Sequence, residues 1–390
     1  MFQASRPVCC SILPPHVLRR MAEAGPSHVR ASAYDTLRLS ERLRGRRMAL
    51  AEFLRPVPRG GLERTLYDAK HVERLPGAVV RKEGQAPRKD AHVDEAYDGL
   101  GATYAFYAEV MSRNSLDDHG QGLDATVHYG RKYMNAFWDG RQMVFGDGDG
   151  QVLGSFTAHL DVIAHELTHG VIAHEACFDY EDQPGALSES FADVFGILAL
   201  QYERKQPVKQ ATWRIGEGLL AKHPRQALRS FAAPGKAYDN DLMGKDPQPA
   251  HFRHYAPEDY PDDNGGVHVF SGIPNHAFYL AAMKLGGFAW EKAGRIWYLA
   301  LTELLGRQAQ FADAALGTIT AADRLFGATA ARAVRAGWEA VGVAPASRPG
   351  PGRGRGPGER WPDAAHAHPD RRRGRRSGPE GPRRLRAHRP

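Results

Sequence analysis

Apolar and polar positions follow four different rhythms along the chain. Up to about residue 60, Leu37, Leu39, Leu43 and Leu50 stand among arginines and prolines and predict one helical stretch. From about 61 to 160 the apolar residues come in short strand-like runs broken by glycine-rich turns. There Phe137-Trp138 and Met143-Val144-Phe145 flank Asp139-Gly140, a pair that readily supplies the positive φ of a two-residue turn, so a β-hairpin is expected. From about 160 to 343 the period lengthens: Leu187, Phe191, Val194, Phe195 and Leu198 share one helical face, and this region is expected to be mostly helical. Beyond Val343 proline, glycine and arginine dominate, and too few apolar residues remain to build a core.

Composition changes this picture in two places. The formal charge of +7 belongs to the tail, where residues 348–390 carry thirteen arginines against four acidic residues, leaving about −2 for the rest. Arg371-Arg372-Arg373 would suit phosphate contacts, but no aromatics are interleaved, and the pattern weighs against a nucleic-acid partner. No apolar run reaches the length of a membrane span, so no membrane partner is expected. Met1 to Leu18 lack the apolar centre of a secretory signal, and a cytoplasmic location, or export by a non-classical route, is the expectation. Three cysteines (Cys9, Cys10, Cys177) make no disulfide framework.

The chemistry concentrates in His165-Glu166-Leu167-Thr168-His169. Two histidines four apart on a helix lie one turn apart on the same face, so both rings reach one ion. Two surface histidines on an amphipathic helix would share that spacing, but the apolar stripe Ile163, Leu167, Val171 and Ile172 points to a buried helix. Downstream, Glu189 and Asp193 are again four apart. Two His and one Glu, with a fourth position left for water, make an open catalytic zinc site. Asp193 would then accept the free ring N–H of His165 and fix its tautomer. The metzincin pattern is excluded, because Ile172 and Glu175 occupy the positions where it requires Gly and His.

From about Arg64 to Val343 the chain resembles the thermolysin family of zinc metalloproteases, and within it the protealysin-like short-propeptide group. The matching stretches are Asn135-Ala136-Phe137-Trp138, Gly146-Asp147-Gly148-Asp149-Gly150, the His165–His169 helix, Gly185 to Asp193, Ala227-Leu228-Arg229-Ser230 and Asp263-Asn264-Gly265-Gly266-Val267-His268. The resemblance implies an α+β, two-domain fold with an N-terminal β-rich domain, a C-terminal mainly helical domain and the zinc-binding helix between them. It divides the chain into a short propeptide (1–60), a β-rich subdomain with the zinc helix (61–175), a helical subdomain (176–345) and the disordered tail (346–390). His165, His169 and Glu189 resemble the zinc ligands and Glu166 the general base. His268 and Tyr180 resemble the pair that stabilises the oxyanion, with Asp263 orienting the histidine. Asn135 and Ala136 resemble the edge that holds the peptide as an added strand, and Arg229 the residue that binds a substrate carbonyl. Leu153, Phe156, Val162 and Leu228 resemble the apolar walls of the pocket for the residue after the cut bond.

The implied activity is a zinc endopeptidase made as a zymogen, cutting on the N-terminal side of bulky hydrophobic residues, with its own propeptide as inhibitor. The alternative is an inactive protein that keeps the fold and the zinc as a binding module. Ser11 to Leu18 resembles the group's Pro-Pro-aromatic-Leu leader motif, with His16 where an aromatic is usual, and maturation is expected between Arg44 and Arg64. Three more positions depart from the family. Ser188 replaces a common Asn, Cys177 replaces a Gly at a turn that favours positive φ, and Leu200 stands where a calcium-binding carboxylate is expected beside Asp161. The double calcium site is therefore expected to be lost, with a weaker or differently built site left open.

Overall fold

The structure is a computed structural model that describes residues 11–50 and 60–347, without the side chains of 41–50. Apart from Ser347 these fall in the first of the chain's two units, Met1–Ala346. The expectations for Cys9, Cys10 and the arginine tail lie outside the described residues, as does part of the segment expected to hold the maturation bond.

The leader forms two helices where the sequence predicted one stretch: α1 (Pro15–Ala24) and α2 (Ser27–Leu50). Pro15 opens α1 at a position whose N–H has no helical partner to lose. The chain then builds a five-stranded sheet from β1 (Arg64–Asp68), β2 (Ala78–Lys82), β3 (Leu123–Val127), β4 (Ala136–Trp138) and β5 (Met143–Phe145). Its order is β2-β1-β3-β5-β4. β1, β3 and β5 run parallel, while β2 and β4 pair antiparallel at the two edges. The predicted hairpin is present as β4–β5. Its connection is Asp139–Gln142, with Gly140 at φ 92° and the Asp139 carboxylate accepting the N–H groups of Arg141 and Gln142.

Between β2 and β3 lies α3 (Ala91–Met111), a helix the strand-like reading of this region did not foresee. Asp90 caps it by accepting the N–H groups of His92 and Val93, and Val93, Ala96, Tyr97, Leu100, Phe106, Tyr107 and Met111 are buried.

α4 (Leu160–His174) and α5 (Asp182–Glu203) follow. Every residue from Asp161 to Ile172 is buried, so α4 is covered on all sides, as the apolar stripe implied. α4 and α5 approach so closely that a Cβ on Gly196 would stand 2.6 Å from the Asp161 carbonyl oxygen and 3.2 Å from the His165 Cβ. Between α5 and the next long helix the chain makes mainly turns and two-residue strands, among them β6 (Arg214–Ile215) and β7 (Arg229–Ser230). The last elements are α6 (Val267–Phe270), α7 (Gly272–Leu285), α8 (Arg295–Leu299) and α9 (Phe311–Ala340), the last broken at Gly327, φ 76°. The result is the expected two-part α+β architecture, sheet first and helices after, with α4 at the junction. No helix among the described residues is long and apolar enough to cross a membrane.

Candidate active site

α4 supplies His165, Glu166 and His169; α5 supplies Glu189 and Asp193. The two histidine Nε2 atoms are 3.3 Å apart, and each lies 3.5 Å from a Glu189 oxygen. A tetrahedral zinc ion with bonds of about 2.0–2.1 Å sets its ligands roughly 3.3–3.4 Å apart. Two neutral nitrogens and one carboxylate at that spacing fit zinc, and all three residues are buried. The rings are also held from behind. His165 Nδ1 is 2.8 Å from Asp193, and His169 Nδ1 is 3.5 Å from the Ser188 hydroxyl, so the residue in place of the family's Asn retains a contact with the second ligand.

Asp193 is the hub of a buried network. Arg229 donates two hydrogen bonds of 2.7 Å to its carboxylate, and Asn275 donates a third of 2.8 Å. Burial opposes its charge, but Arg229 and His165 outweigh that and hold the carboxyl well below the usual range. Asn275, itself fixed by the Ser190 hydroxyl at 2.7 Å, was not foreseen; an asparagine 82 positions from its partner gives no local signal.

Glu166 Oε2 accepts the backbone N–H of Trp138, 3.0 Å away on β4, which couples the carboxylate to the sheet edge. Across the cleft, Tyr180 donates to Glu189, and its hydroxyl lies 3.4 Å from His268 Nε2. His268 Nδ1 is 2.6 Å from Asp263. Burial alone would depress the His268 imidazole, yet Asp263 and Glu189 raise its pKa to about 9. The ring is then a charged donor at neutral pH.

The leader runs through this cleft. Ser11 bridges Phe137 antiparallel, and Ile12 N–H donates to the Ala136 carbonyl at 3.2 Å, so the leader adds a short strand to the β4 edge. Asn135 brackets Leu13, accepting its N–H at 2.9 Å and donating to its carbonyl at 3.2 Å. Arg229 donates to the Ile12 carbonyl at 3.1 Å, and His268 Nε2 lies 3.2 Å from the Ser11 carbonyl. The predicted residues Asn135, Ala136, Arg229 and His268 thus all meet one peptide.

Leu153, Phe156, Val162 and Leu228 are all buried. Cys177 adopts φ 49°, the positive value the turn was expected to require. Asp161 accepts the N–H of Gly216 at 2.7 Å, and burial raises its pKa.

Comparison with known proteins agrees with this geometry. Residues 54–173 match the thermolysin metallopeptidase catalytic domain, and residues 176–343 match the thermolysin metallopeptidase alpha-helical domain. An extracellular metalloprotease of Pectobacterium carotovorum subsp. carotovorum is 48% identical over 87% of this chain and 97% of its own length. Protease PrtS of Photorhabdus sp. (strain Az29) is 53% identical over 72% of this chain and 76% of its own. The solved structure of the precursor of protealysin, a metalloproteinase from Serratia proteamaculans, superposes with a TM-score of 0.79 at 48% identity, covering 86% of this chain and 100% of that one.

These relatives correct one expectation. The cytoplasmic location inferred from residues 1–18 is overturned by the extracellular protease of Pectobacterium, which points to export. An apolar leader marks only one route out of a cell, so residues 1–18 were a poor guide. With both family domains matched in order and a relative aligned over nearly its whole length, the chain belongs to the thermolysin family of metallopeptidases.

Proposed function

We propose that this chain is a zinc endopeptidase made as a precursor, in which the leader occupies the peptide-binding edge until it is removed. The observation that carries this reading is the leader's own docking. Its backbone meets Asn135, Ala136, Arg229 and His268 as an extended peptide would.

Zinc bound by His165, His169 and Glu189 would supply Lewis acidity toward a water and a peptide carbonyl. Glu166, steadied by the Trp138 N–H, is the base that takes the proton of the attacking water and passes it to the leaving amine. As charge grows on the carbonyl oxygen, Tyr180 and the protonated His268 donate to it, and Asp263 keeps the imidazolium aligned. Arg229, braced by Asp193, grips the carbonyl of the following residue, and Asn135 and Ala136 hold the strand in register. The buried walls Leu153, Phe156, Val162 and Leu228 favour a bulky apolar residue after the cut bond.

The same reading divides the chain at about residues 60, 175 and 345. It takes peptides rather than nucleic acid as substrates, the leader as inhibitor and, after the relatives, a place outside the cell. For calcium the reading keeps the double site as lost, because Leu200 replaces the carboxylate expected beside Asp161, and leaves a weaker or differently built site open.

An intact-mass time course of the full chain tests the proposal, with and without a zinc chelator and beside Glu166→Ala. Loss of an N-terminal piece of roughly 50–60 residues from the wild type alone is expected. A chain that binds zinc, is freed of its leader by added protease and still cuts no peptide would instead be the inactive binding module.

A further inference from the structure

A second group of donor atoms converges on a single carboxylate outside the catalytic cleft. Because β1, β3 and β5 run parallel, their C-terminal ends open on the same edge of the sheet. His71 follows β1, His128 follows β3 and Asp147 follows β5. His92 arrives from the first turn of α3. His128 Nδ1 lies 2.9 and 3.1 Å from the two Asp147 oxygens, His71 Nδ1 3.3 Å and His92 Nδ1 3.7 Å. The His71 and His92 rings stand 5.3 and 5.0 Å from that of His128. Among the described residues, His71, His128 and Asp147 form the one close group of three metal-capable side chains other than His165, His169 and Glu189.

We propose that His71, His128 and Asp147 bind a second zinc ion, with His92 as the fourth ligand. Asp147 oxygens lie 2.9 Å from His128 Nδ1 and 3.3 Å from His71 Nδ1, near the roughly 3.3–3.4 Å of a tetrahedral zinc site. The three donors all lie within 4.8 Å of one another, so the loops and the His92 ring would close by a small movement on binding. Imidazoles with a single carboxylate suit a transition metal; calcium and magnesium need mostly oxygen. The arrangement behind the ligands points the same way. His128 Nε2 is 3.0 Å from Asp90, which leaves Nδ1 as the ligand atom and repeats the pairing of His165 with Asp193. Asp90 also caps α3, so this contact ties His128 to the helix that carries His92. The His71 N–H donates to the His128 carbonyl at 2.8 Å, and both residues adopt left-handed φ, 57° and 54°, which sets the two loops beside each other. The Ser155 hydroxyl, 3.2 Å from His92 Nδ1, competes for that ring and would release it on binding. Bound there, zinc would clamp three strand ends and α3 together.

Zinc per chain, measured by mass spectrometry on full-length protein dialysed against a small excess of zinc and then freed of unbound metal, tests the proposal. Two zinc ions are expected in the wild type, one in His71→Ala/His92→Ala and one in His165→Ala. His71 is exposed and His92 partly so, so the double variant folds and is expected to keep its peptidase activity within about twofold. Asp90→Asn is expected to weaken the second site about 10- to 100-fold while leaving the first unchanged. One zinc in the wild type, absent from His165→Ala and unaltered in His71→Ala/His92→Ala, would overturn the proposal and leave His128 as an imidazolium held between two carboxylates. Two zinc ions that both survive the double variant would overturn it as well.

Discussion

Acid should loosen the leader through His16. This residue sits in the first turn of α1, three places after Leu13, which Asn135 holds, and its Nε2 makes only a long 3.4 Å contact with the Tyr238 hydroxyl. Its Nδ1 is shut off from solvent and finds no partner among the described residues. Burial lowers its pKa from 6.5 to about 4; Asp263 pulls the other way, while His268, Arg19 and Arg229 add to the lowering. The docked leader therefore holds His16 neutral, and the released leader protonates near the ordinary value. Above pH 6.5 both states are neutral and docking is unaffected. As pH falls from there towards 4, the released state binds the extra proton and docking weakens. At pH 5.5 these values give about an elevenfold larger released population, about 1.4 kcal/mol, an upper figure for a ring that keeps some exposure. The assay is hydrogen exchange at the Ile12 and Leu13 amides, which donate across the interface, in full-length Glu166→Gln so that no leader is cut. Protection, corrected for intrinsic exchange, should fall close to tenfold between pH 7.5 and 5.5. His16→Phe should abolish most of that fall. An equal fall in both proteins would show that His16 is not the sensor, and no fall in either would refute the reasoning about its burial.

Three other outcomes follow from the site. Tyr180→Phe removes one donor to the oxyanion and should lower kcat by about 10²–10³ with zinc content unchanged, read by steady-state kinetics and metal analysis side by side. Asp193→Asn takes the charge from a carboxylate that serves Arg229 and His165 together. It should weaken catalytic zinc about 10- to 100-fold and cost about 3–5 kcal/mol of stability, measured by competition with a chelator and by denaturant unfolding. Gly196→Ala should destabilise the fold by about 1–3 kcal/mol and loosen zinc, because the new methyl meets the α4 backbone at Asp161; unaltered unfolding would mean the two helices have room to separate.

Much of the site could be read in the chain because its signals are local. His165 and His169 share a face through helix geometry alone, as do Glu189 and Asp193, and the apolar stripe of α4 announced its burial. α3 was harder to read. Its centre carries Gly99 and Gly101, which count against a helix on propensity, yet Gly99 lets Ile163 of α4 come so near that a Cβ would stand 2.3 Å from its Cδ1. There packing overrides local preference. The leader's first helix, α1, was missed for a related reason: Pro-Pro and Gly-Pro look like breaks, although proline at a first turn is compatible with a helix.

The sequence by itself determined which residues have zinc chemistry, their order, and the family whose fold carries them, since each depends on neighbours within a turn or two. Tertiary structure alone decided that α5 lies close enough to α4 for Glu189 to meet both histidines, that Asn275 and Arg229 converge on Asp193, and that Ser11–Leu13 lie against the β4 edge. It alone gathered His71, His92, His128 and Asp147 from four separate segments. The physical reason is that periodicity reports only what lies nearby along the chain. Contacts between distant segments depend on parallel strand order, helix approach and the entropy of closing the loops between them, and no local pattern encodes those.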